Sequence, residues 1–100
     1  MNLFNFGGPP CPPDQRQIVK KLIDDLIRVG KTDDYLSERP APGFNRNMRN
    51  IQAREIGERL HQIGGVALME YARKQVQHAG GKALAEHLDY AWADIGDWIH

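Results

Sequence analysis

Two glycine pairs sixteen residues apart constrain this chain more than any other feature. Gly64-Gly65-Val66-Ala67-Leu68-Met69-Glu70 and Gly80-Gly81-Lys82-Ala83-Leu84-Ala85-Glu86 share the pattern Gly-Gly-x-Ala-Leu-x-Glu. Alanine, leucine and glutamate propagate helices, and glycine ends them. Each pair is therefore expected to be a tight corner. The first glycine closes a helix in the left-handed region, and the second turns the chain into the next helix. Glutamate then falls in a first turn, where the helix dipole favours an anion. Solenoid repeats need longer units, so two short matches read as repeated turn chemistry.

Apolar residues recur at helical spacing around those corners. Ile18, Val19, Leu22, Ile23, Leu26 and Ile27 make a broad stripe, with Lys20, Lys21, Asp24, Asp25 and Arg28 opposite. The Asp14-x-x-Gln17 spacing resembles a capping box, and Gly30 is expected to stop this first helix. A second helix starts near residues 45–47, where asparagines offer N-caps, and buries Met48, Ile51, Ile56, Leu60 and Ile63. A third covers residues 66–79 on Val66, Met69, Ala72, Val76 and Ala79. A fourth runs from residue 82 almost to the last residue through Leu84, Leu88, Trp92, Ile95 and Ile99, widened by Ala91 and Trp98. No segment sustains period-two alternation, so a sheet is not expected. The expected fold is all-α: a single small domain of about four helices over residues 14–100. Its last three helices are joined by tight Gly-Gly corners, and an extended Pro/Gly-rich N-terminal arm covers residues 1–13.

Gly7, Gly8, Pro9, Pro10, Pro12 and Pro13 exclude a helix from that arm. Leu3, Phe4 and Phe6 make it sticky, either packing on the domain's own helices or docking on a second chain. Residues 31–46 are long for a connection between helices. Tyr35, Leu36 and Phe44 are the expected anchors of a loop over one end of the core; a binding loop is the alternative.

Composition narrows function mainly by exclusion. Hydrophobic residues make up 41% of 100, and 13 basic residues balance 13 acidic ones, which argues against disorder and against a chain made basic throughout for nucleic acid. One cysteine allows neither a disulfide framework nor a cysteine-rich zinc site. The first residues lack the pattern of a signal peptide, and no apolar run approaches the roughly 20 residues of a membrane span. A cytoplasmic location is the expectation.

Of the histidines, His61, His78 and His100 sit at expected helix ends, where the dipole favours imidazolium; His87 has no such explanation. Glu58-x-x-His61 is one copy of a spacing that di-iron helices use twice, so neither metal nor cofactor is expected. Cys11 stands between prolines without a neighbouring base. Five arginines, Arg39, Arg46, Arg49, Arg54 and Arg59, contrast with Glu86, Asp89, Asp94 and Asp97 near the end of the sequence. Arg46 and Arg49 at a helix start, and Asp94 and Asp97 at a helix end, each oppose the dipole by roughly 0.3–1 kcal/mol. Such breaches point to tertiary pairing or to function. Asn45, Arg46, Arg49 and Asn50 form a candidate anion-binding set of guanidinium forks and amides beside exposed backbone N–H groups. Leu3, Phe4, Phe6 and Trp98 are the candidate interface. Together these features describe a small non-enzymatic helical protein acting through protein–protein interaction. The expected partner is another copy, as a homo-oligomer, or another protein, and neither a membrane nor nucleic acid. The alternative is an anion or nucleic-acid binding module using the arginines at the start of the second helix.

Overall fold

The amphipathic stripe beginning at Val19 forms the first helix, α1, over Arg16–Asp33. The structure, a computed structural model, describes residues 8–35 and 51–98. They are all-α: a 3-10 turn at Pro13–Gln15 precedes α1, and two further helices follow, α2 over Ile51–Gly80 and α3 over Lys82–Ala91. Both α1 and α3 pack on α2. Among the described residues no helix is long and apolar enough to cross a membrane.

Val19, Ile23, Leu26 and Val29 carry the buried face of α1. Each is worth about 1.5–3 kcal/mol when fully buried. Ile18, expected in the stripe, is 40% exposed. The outer face is laced locally: Lys20 to Asp24 at 3.1 Å, Lys21 to Asp25 at 3.3 Å and Arg28 to Asp25 at 2.7 Å. Arg28, and then Lys21, hold the Asp25 carboxyl below its ordinary range. Both ends of α1 differ from expectation. Asp14 lies inside the 3-10 turn, and no side chain caps α1. Gly30 does not stop the helix, which continues to Asp33 and closes with the Asp34 N–H donating to the Gly30 carbonyl at 2.9 Å. Gly30 has a packing role instead. The fully buried Tyr35 ring lies where a Cβ on Gly30 would stand, and its hydroxyl donates to the Leu26 carbonyl at 2.6 Å. Tyr35 is thus the anchor expected of it; Leu36 and Phe44 lie outside the described residues.

The second and third expected helices follow one another in α2, 30 residues long, whose two helical stretches meet at a kink at Gly65, where φ is 72° and ψ −164°. Left-handed backbone falls on the second glycine of each pair, Gly65 and Gly81, and not on the first. The first glycine of the earlier pair serves contact: a Cβ on Gly64 would stand 2.6 Å from the Pro10 carbonyl oxygen, so the proline-rich segment crosses α2 at its kink. Ala53, Ile56, Leu60, Leu68, Met69, Ala72 and Val76 are buried along α2, whereas Ile51, expected inside, is 71% exposed.

α3 ends at Ala91, short of the expected run to the last residues. A helix leaves its last carbonyls without intrahelical partners. Arg54 of α2 takes up two carbonyls at this point, donating to Ala91 at 2.7 Å and to Ala93 at 2.9 Å. The chain then winds through turns, with Asp94 and Gly96 at positive φ, to Trp98. Trp92 is fully buried and donates its indole N–H to the Ala53 carbonyl at 2.9 Å. Its ring lies where a Cβ on Gly57 would stand, so α2 needs glycine there for close approach. Trp98 meets it edge-to-face, with centroids 5.0 Å apart. Asp94 and Asp97 therefore lie in turns beyond α3, and the opposition to its dipole read from the sequence does not arise. The Arg73 guanidinium joins α2 to α3 through a two-pronged pair with the buried Asp89 carboxylate, at 2.7 and 2.9 Å.

Candidate functional site

Among the described residues three places stand out by shape or by exposure. The first is a groove of about 390 Å³ between α1 and the later part of α2. Val19, Ile23 and Ile27 supply its apolar wall from three successive turns of α1, and Tyr71 faces them from α2. Arg16, Lys20, Asp24 and Gln75 supply polar groups around it. Pro9 completes the lining, because the 3-10 turn brings the proline-rich segment back over the start of α1. Cys11 follows, partly buried against the core.

The second is the end of the molecule where α2 begins and α3 finishes. The Arg54 contacts to Ala91 and Ala93, with the Trp92 contact to Ala53, tie these ends together. Two large apolar side chains flank the tie in water: Ile51, three residues before Arg54, is 71% exposed, and Tyr90, just before Ala91, is 65% exposed. Trp98 lies at the same end but is only 4% exposed, its ring placed against Trp92.

The third is a shallow hollow of about 440 Å³ beside the end of α1, lined by Lys31, Asp34, Gly80, Leu84 and His87 among others. His87 Nδ1 lies 2.8 and 3.0 Å from the two Asp34 carboxylate oxygens. Asp34 also accepts the Tyr35 N–H, and its φ of 67° aims it there. A carboxylate on Nδ1 orients an imidazole as general bases are oriented. Among the described residues that line the hollow, none carries a hydroxyl or thiol side chain. Among the described residues no group of three or more His, Cys, Asp and Glu is placed to hold a metal ion.

Of the residues singled out in the sequence, Asn45, Arg46, Arg49 and Asn50 lie outside the described residues, as do Leu3, Phe4 and Phe6. Trp98 is described and belongs to the core. His61, read as a helix-end cation, packs over Gly96 in the last turn region. Arg54 was one of five arginines and nothing in its spacing marked it as the one that ends α3. Asp34 and His87 are 53 residues apart, and a pair at that separation leaves no local signature. Tyr90 could have been found: it interrupts the polar face of α3 with an aromatic ring. No protein-family model, no curated protein and no solved structure matches the chain.

Proposed function

We propose that this is a small non-enzymatic helical protein that acts through protein–protein contact and associates with copies of itself. The observation that carries the reading is the pair Ile51 and Tyr90, 71% and 65% exposed on either side of the Arg54 tie. Large apolar groups of this kind are hidden when two copies meet through the same patch, as a two-fold dimer requires. The end that bears them is stiffened by Trp92 and Trp98, so little order has to be gained on contact. The finer architecture belongs to the same reading: four helical rods, counting α2 as two, cornered at the Gly-Gly pairs and carrying the arm of residues 1–13. Rods set by corners present one fixed surface.

Light scattering coupled to size-exclusion chromatography tests the proposal. Wild-type protein is expected to run as a dimer or larger species, with mass falling on dilution. The double change Ile51→Glu and Tyr90→Lys is expected to give a folded monomer. A wild-type protein that is monomeric over a roughly hundredfold concentration range removes self-association.

A further inference from the structure

We propose that the groove between α1 and α2 is the seat of the chain's own residues 3–6, laid antiparallel to α1 with Phe4 and Phe6 inserted. The proposal goes beyond self-association and uses a different surface. The groove is apolar along α1, through Val19, Ile23 and Ile27, and Tyr71 closes it from α2. The chain arrives at its mouth: Pro9 lines it, and a Cβ on Gly8 would stand 3.4 Å from Arg16 Nη2, at the same end. Between Pro9 and α1 the chain reverses through two turns, Cys11 N–H to the Pro9 carbonyl at 2.8 Å and Gln15 N–H to the Pro12 carbonyl at 2.9 Å. Residues before Gly8 that continue along the groove therefore run antiparallel to α1.

Length decides how far they reach. From Arg16 to Ile27 the helix rises about 17 Å. From Gly8 back to Leu3 an extended chain covers about 17 Å. Side chains alternate along extended backbone, so Phe4 and Phe6 share one side, while Leu3 and Asn5 share the other. No residue from Met1 to Gly7 carries a charged side chain, which suits an apolar wall. The occupant comes from the same chain rather than a second copy. A tether of a few residues holds the segment at an effective concentration in the millimolar range, far above that of another copy at micromolar protein.

The test uses the full chain and isotope-filtered nuclear Overhauser spectroscopy. In uniformly labelled protein, contacts are expected from the Phe4 and Phe6 rings to the methyl groups of Val19, Ile23 and Ile27. In an equal mixture of labelled and unlabelled protein, the contacts filtered for pairs of different copies are expected to vanish. The variant Phe4→Ser with Phe6→Ser should lose the contacts, shift the Tyr71 ring resonances and lower Tm by an amount independent of protein concentration. Contacts between differently labelled copies would overturn the proposal in favour of arm exchange. So would the absence of any contact from either ring to the groove, or an unchanged Tyr71 in the variant. A monomer showing the contacts within one chain sinks self-association and leaves this proposal standing. A dimer dispersed by the Ile51 and Tyr90 changes, but lacking these contacts, does the reverse.

Discussion

Along α1 every residue is helical, the charge pairs at Asp24 and Asp25 are local, and the apolar face borders a groove. Residues 92–98 contain no helix, yet Trp92, Ile95 and Trp98 are all buried there. Both regions bury their apolar side chains, α1 through Val19, Ile23, Leu26 and Val29, but they hold their backbones differently. A helix satisfies its backbone within itself and needs its neighbours only for its stripe. A run of turns does that only in part, through the Ile95 N–H to Trp92 and the Trp98 N–H to Ile95, so it borrows partners: the Arg54 guanidinium for the Ala93 carbonyl, Ala53 for the Trp92 indole N–H, and one tryptophan for the other. Backbone regularity and burial are separate properties in this protein, since the irregular segment buries its side chains as fully as α1 does.

The largest effect that would break this comparison comes from Trp92. Trp92→Ala should cost roughly 3–5 kcal/mol, measured by urea unfolding, since it opens a cavity beside Gly57 and releases Trp98. Ile18→Asp on α1 should stay within about 0.5 kcal/mol, because Ile18 is 40% exposed. Equal costs at the two sites would mean that the Trp92 ring is not held in the core.

A smaller effect sharpens the role of Arg54. Arg54→Met keeps much of the stem and removes both donors from Ala91 and Ala93. The expected loss is about 1.5–3 kcal/mol, with amide hydrogen exchange speeding up over residues 92–98 while α1 stays protected. If exchange rises equally in both regions, Arg54 is a general stabiliser and not the closure of one end.

A smaller loss than that at Arg54 is expected from Tyr35 at neutral pH. Tyr35→Phe removes its bond to the Leu26 carbonyl and should cost about 1 kcal/mol. Burial, and then the Asp34 carboxylate, push the Tyr35 hydroxyl well above its ordinary value. The folded protein therefore keeps a proton that the unfolded chain releases above about pH 10. This contribution is fully present below that pH and is lost as pH rises beyond it, with a slope of up to about 1.4 kcal/mol per pH unit. Stability followed by denaturant titration should fall less steeply above that pH in Tyr35→Phe. Identical slopes in both proteins would place the ring in water.

The helical class and the main stripe were legible because both are local. Val19, Ile23 and Leu26 repeat at the helical period, and Gly65 and Gly81 sit where the structure needs positive φ. What lay between distant residues was not legible. The sequence by itself determined that the described chain is helical and where its main stripe lies, since both follow from side-chain period. Only the tertiary structure decided that α3 stops at Ala91, that Gly30 makes room for Tyr35 and that Trp98 belongs to the core. Each of these depends on a partner that folding brings near, as Arg54 is brought to Ala91 across 37 residues, and no local preference encodes such a meeting.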